Sequence, residues 1–225
     1  MSGIKYYVID LETTGLVSSY HEVVEISIIR AEDKVQLSRH IRAMYPERAS
    51  FDALKATGKT LADLEIGISK EQAIEDADKF FNLDGADPAS RCIIGHNIIS
   101  FDKKFLHDMW ASMELIFPAN LYLDTIALTK HFIKTHDLSN ANIEKTATGK
   151  ISTKLSSALS LTGTKRATSE QHTAQSDTRN TFMLWKKLVD EHKIDYLPHI
   201  KTFPHITKAS KELENIDALD MAEIE

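Results

Sequence analysis

Residues 4–16 read IKYYVIDLETTGL. Ile4, Tyr6 and Val8 alternate with Tyr7, Ile9 and Leu11, so both faces of segment 4–11 are apolar. That pattern predicts a central strand buried on both sides. Asp10 and Glu12 stand two apart on it and project to the same face. They sit at its C-terminal end, where open α/β sheets bind their ligands. A carboxylate pair ending such a strand needs compensation, because buried charge is costly unless paired or metal-bound.

Outward from this strand, EVVEISIIRA (22–31) predicts a second strand. Residues 34–42 alternate Val35, Leu37 and Ile41 against Gln36, Ser38, His40 and Arg42. The Asp33–Lys34 turn between them predicts a hairpin ending in an edge strand. A loop-rich stretch follows, then a helix from Ser69 to Phe81 with Ser69 as N-cap and Gln72 at the reciprocal capping-box position. Cys92 to Gly95 reads as a short buried strand. The next helix spans about Ser100 to Ile116, with an apolar stripe of Phe101, Phe105, Leu106, Met109, Met113 and Ile116. Leu121 to Leu123 predicts the last strand. Helical patterns follow at Thr125–Lys134, Ser152–Leu161 and Ser176–Glu191, the last with Thr181, Leu184, Trp185, Leu188 and Val189 facing inward. Strands followed by alternating helices and strands predict an α/β fold with a mixed five-stranded sheet flanked by helices. The domain is expected over 1–195, with a C-terminal extension over 196–225. That extension is acidic at its end, six acids against one lysine from Lys211 to Glu225. Residues 138–154 read as an inserted polar surface loop.

Composition narrows the function classes. The 225 residues are 42% hydrophobic and 27% charged, enough to bury a sizeable core. No apolar run approaches the roughly 18 residues of a membrane span, so no membrane partner is expected. Cys92 is the single cysteine, which excludes an intrachain disulfide framework and a cysteine-based zinc site and fits a reducing, cytoplasmic setting. A net charge of −6 argues against wide electrostatic wrapping of duplex DNA. It leaves room for a pocket that grips a few nucleotides and takes its positive charge from metals.

Two more carboxylates share the inward phasing. Asp102, in HNIISFDKKF (96–105), lies on the helical stripe with Phe105, Leu106 and Met109. Asp177, in HTAQSD (172–177), precedes Thr181, Leu184 and Leu188 at helical spacing. His172 is five residues before Asp177, off that stripe, on the approach to the helix. A histidine near bound water has a suitable range for general-base work. Four carboxylates and one imidazole are the parts for holding two divalent ions and activating a water, which points to phosphodiester hydrolysis. Glu25 reads as a structural hydrogen-bond or ion-pair partner, with a role in supporting the metal-ligating acids left open, and His96 as structural.

These motifs together resemble the DEDDh 3′–5′ exonuclease family, DnaQ-like members of the ribonuclease H-like superfamily. DLETTGL carries the first motif, HNIISFD the second and HTAQSD the third, with H-x-A-x-x-D spacing intact. LDTIALTK and KLSSAL resemble flanking segments, and the match runs from Ile4 to Asp190. The resemblance implies a ribonuclease H-like fold. It implies that Asp10, Glu12, Asp102 and Asp177 bind two Mg²⁺ or Mn²⁺ ions and that His172 takes the proton of the attacking water. All five are catalytic on this reading. Thr13, Leu16, Asn97 and Phe101 are the implied contacts to the substrate's 3′ end. The expected partners are single-stranded DNA or RNA 3′ ends, with DNA favoured, and a polymerase or repair complex. Two readings stay open beside it: an oligoribonuclease that trims RNA, and an accessory module binding such a complex. Lys134, Lys145, Lys150, Lys154, Lys165 and Arg166 read either as a guide for a phosphate backbone or as a solvated basic loop.

Overall fold

The computed structural model describes residues 3–139, 141, 143–166 and 173–203. His172 and the acidic stretch Lys211–Glu225 lie outside the described residues. The segment read as a central strand forms β1 (Lys5–Thr13), paired antiparallel to β2 (Val23–Arg30) and parallel to β4 (Arg91–Gly95). β3 (Gln36–His40) pairs antiparallel to β2 at the edge, as the hairpin pattern predicted. β5 (Leu121–Asp124) pairs parallel to β4.

Among the described residues the sheet has six strands, in the order β3-β2-β1-β4-β5-β6, rather than the five expected. The sixth, β6 (Lys201–Thr202), adds antiparallel to β5 at Leu121 and Tyr122. Two residues are too few for an alternating pattern to show in a sequence. The loop-rich stretch after β3 also contains structure that periodicity missed, namely α1 (Phe51–Thr57) and α2 (Leu61–Leu64). Both are too short for a helical stripe, although Ser50 and Thr60 cap them through side-chain oxygens.

Helices cover both faces. α3 (Lys70–Asn82) and α4 (Asp102–Ala111) pack on Tyr7, Ile9 and Leu11 through Ile74, Phe81, Phe105, Leu106 and Trp110. Ser69 caps α3 as predicted, but the Gln72 side chain turns to Asp76 (2.9 Å) instead of closing a capping box. α4 stops at Ala111, five residues short of the expected end. Met113 and Ile116 therefore leave the stripe and are exposed. The opposite face carries α5 (Thr125–Thr135), α6 (Leu155–Leu161) and α7 (Ala174–Lys186), packed on Val8, Ile94 and Leu123. α7 runs on into a π turn over Lys187–Glu191. Thr181, Leu184, Trp185 and Leu188 are buried, in the predicted phase.

Candidate active site

The site lies at the C-terminal end of β1. Asp10 is opposite Ser27 and Glu12 opposite Glu25 on the β1–β2 ladder, and the register slips between Glu12 and Thr13. That irregularity turns the chain out of the sheet beside the carboxylates, a common device at functional sites. Asp10, Glu12 and Val8 share the sheet face on which α7 packs, so Asp177 in the first turn of α7 comes down onto them. One carboxylate oxygen from each of Asp10, Glu12 and Asp177 lies within 4.8 Å of the others. All three side chains are half-buried. An all-oxygen donor set of this kind suits hard divalent cations.

Asp102 adjoins the three from the other face. It is buried, and the backbone N–H groups of Leu11, between the two β1 acids, and of Asp102 itself, in the first turn of α4, favour its charged form. It is not one of the three mutually close ligands, but it adjoins Asp10, on which its charge acts more strongly than that of Glu12 or Asp177.

Mutual repulsion in a poorly hydrated setting shapes the electrostatics. Burial, then Asp102, Glu12 and Asp177, push the Asp10 carboxyl well above the ordinary range. Glu12 is pushed up to about 8, by burial first and then by Glu25 and Asp177, with Lys59 opposing. Burial also raises Asp102, against the backbone N–H groups of Asp102 and Leu11, which favour its charged form. A cation among these groups would relieve all three.

Glu25 is a hub. It is 4% exposed. Lys59 Nζ donates to its Oε1, His40 Nδ1 approaches the same oxygen at 3.2 Å, and the Ala174 N–H donates to Oε2 at 3.0 Å. The acid opposite Glu12 thus holds the first turn of the helix that delivers Asp177. Asp124 fastens the second motif, accepting from the N–H groups of Asn97 (3.0 Å) and Ile126 (2.9 Å). His96 is structural as expected, bonded to Thr125 Oγ1 and the Thr153 carbonyl, each at 2.8 Å. No sequence pattern marks Lys59, because its role depends on where the α1–α2 turn returns to the sheet.

Three of the four residues expected to touch substrate share one cavity. Thr13, Leu16 and Phe101 line about 500 Å³ of space together with Glu12, Ala53 and Ala56. Leu16 is 81% exposed at its edge, whereas the Thr13 hydroxyl is turned inward, donating to the Gly15 carbonyl at 2.7 Å. Asn97 lines none of the cavities described here. It is exposed, holds a left-handed conformation (φ 70°), and its carbonyl accepts from Ser100 and Phe101 to lead the chain into α4.

Comparison with known proteins agrees with this architecture. Exonuclease I from Methylocaldum szegediense superposes with a TM-score of 0.65 at 19% identity, over 84% of this chain and 41% of that one. Escherichia coli exonuclease I in complex with a dT13 oligonucleotide gives 0.67 at 15%, over 84% and 42%. These likenesses are of fold, and they bear out the ribonuclease H-like α/β architecture. Two DNA polymerase III PolC-type proteins are similar in sequence. That of Mycoplasmopsis pulmonis is 27% identical over 128 residues, and that of Mycoplasma pneumoniae 28% over 141. These segments cover 56% and 60% of this chain but only 8% and 9% of the polymerases. Residues 7–184 match the model of the RNase_T exonuclease family, from β1 through α7, and the chain belongs to that family.

Proposed function

We propose that the protein is a metal-dependent 3′–5′ exonuclease that removes 5′-mononucleotides from single-stranded DNA ends. The observation that carries this reading is the Asp10–Glu12–Asp177 cluster at the edge of an apolar cavity lined by Thr13, Leu16 and Phe101. Asp10, Glu12, Asp102 and Asp177 would hold two Mg²⁺ or Mn²⁺ ions. When bound, such ions supply water activation and neutralise charge on the scissile phosphate and leaving oxygen. Leu16 and Phe101 bind the terminal base by apolar contact. Thr13 shapes the turn that seats the terminal sugar beside Glu12. His172 takes the proton from the attacking water.

The oligonucleotide complexes of exonuclease I support DNA over RNA as the substrate. The polymerase relatives support a setting in proofreading or repair, beside a polymerase.

The test uses 3′-labelled and 5′-labelled DNA and RNA oligonucleotides with Mg²⁺, Mn²⁺ or EDTA. Stepwise shortening from the 3′ end is expected, faster on DNA, and abolished by EDTA and by Asp10→Ala. Absence of degradation in every metal would refute the reading.

A further inference from the structure

Of the six basic residues in and around the polar loop, the fold brings two to the site. Lys154 and Arg166 line a second cavity, about 360 Å³, with Ser156, Asn180 and the metal-binding acid Asp177. Lys145 and Lys150 sit instead on a turn closed by the Lys145–Ile151 bridge. Lys154 occupies the N-cap position of α6 and is exposed, as is Arg166. Neither makes an ion pair among the described residues, whereas Arg30, Arg39, Arg91 and several lysines elsewhere do. Two cations beside an acid cluster, with no carboxylate partner among the described residues, are placed for an anion from outside the chain.

The carboxylates therefore divide two unlike cavities. On the Glu12 side the walls are mainly apolar and, among the described residues, include no lysine or arginine. On the Asp177 side Lys154, Ser156, Arg166 and Asn180 set polar and basic groups beside Leu155 and Leu159. A nucleic-acid strand has the same alternation of aromatic base and charged phosphate, and this asymmetry orients it. The terminal nucleoside fits the apolar cavity and the scissile phosphate lies over the acids. The next phosphate towards the 5′ end then reaches the basic cavity. We propose that Lys154 and Arg166 bind the phosphodiester one linkage upstream of the scissile bond. This deepens the exonuclease reading above and rests on it.

The experiment compares three substrates with the full chain and Mn²⁺. They are a dinucleoside monophosphate, which has the scissile linkage alone, a trinucleoside diphosphate, and the same trinucleoside with an uncharged methylphosphonate in the upstream linkage. Wild-type protein should favour the charged trinucleoside by about 10-fold in kcat/KM, mostly through KM, the scale of a charge-assisted contact. In the Lys154→Gln/Arg166→Gln double variant that advantage should disappear, so that the trinucleoside ratio falls to about 1. An unchanged ratio in the variant overturns the proposal. So does an equal loss on all three substrates, which would place the two cations on the scissile or released phosphate instead. Failure of wild-type protein to cut any of the three would be a different result. It would remove the exonuclease reading itself, and this proposal with it.

Discussion

Glu12 and Glu25 stand directly opposite each other on the antiparallel β1–β2 ladder. Like charges in this arrangement repel. The fold tolerates them because Lys59 binds Glu25 and the Ala174 N–H donates to it, leaving Glu12 as the acid directed to the carboxylate cluster with Asp10 and Asp177. Lys59→Met should therefore destabilise the protein by about 2–3 kcal/mol, below the ~3–5 kcal/mol typical of breaking a fully buried pair, because Lys59 keeps some exposure. Urea unfolding would measure it. Adding Glu25→Gln to that variant should recover part of the loss, since no unpaired charge then remains.

Stability should depend on pH and metal together. The Glu12 carboxyl, raised to about 8, favours the neutral form in the folded, metal-free protein. Its contribution is present below the ordinary value of 4.5 and is lost as pH rises through about 8. Asp10 and Asp102, also raised, act in the same direction. Metal-free protein should thus melt at lower temperature as pH climbs through that window. Mg²⁺ requires the ionised acids, so its stabilising effect should be greater at about pH 9 than at about pH 6. Thermal melts with Mg²⁺ and with EDTA would check this, and a metal effect independent of pH would contradict it.

Gly15 sets the position of the first-motif loop. A Cβ there would lie 2.2 Å from the His21 ring, which lines the apolar cavity. Gly15→Ala should displace that wall and lower kcat/KM by roughly 10-fold, about 1.4 kcal/mol. Removing the obstructing ring with His21→Ala in the same chain should restore part of the activity.

Leu16 offers a cleaner separation of binding from folding. At 81% exposure it contributes little to the core. Leu16→Ala should leave stability within about 0.5 kcal/mol while raising KM for oligonucleotides. Equal KM values for the two proteins would remove Leu16 from the substrate contacts.

The far end of the sheet carries a buried ion pair with a purely structural role. Arg91 and Asp84 are each 2% exposed, bonded at 2.8 Å, and Tyr7 donates to Asp84 at 2.6 Å. Burial would raise the Asp84 carboxyl, but these hydrogen bonds outweigh it and hold it below the ordinary range. Arg91→Met should cost about 3–5 kcal/mol by stranding the acid. Catalytic constants measured on the fraction that remains folded should be unchanged, since the pair stands at the opposite end of β4.

The sequence by itself determined the order of the long elements and the inward phase of the acids. Period-2 and period-3.6 patterns are properties of the chain, and they placed β1, α4 and α7, with Asp10, Glu12, Asp102 and Asp177 on buried faces. The motif order likewise identified the family. Short elements were not legible in this way: α1, α2 and the two-residue β6 have too few turns or alternations to carry a period. Tertiary structure alone decided which side chains meet. Lys59 reaches Glu25 only because the turn after α1 folds back over β2. Asp102 bears on Asp10 because α4 packs its first turn against the end of β1. Two of the six basic residues border Asp177 because α6 lies beside α7. Such contacts join residues distant in the chain, and their strength depends on burial and distance, quantities that exist only once the chain is folded.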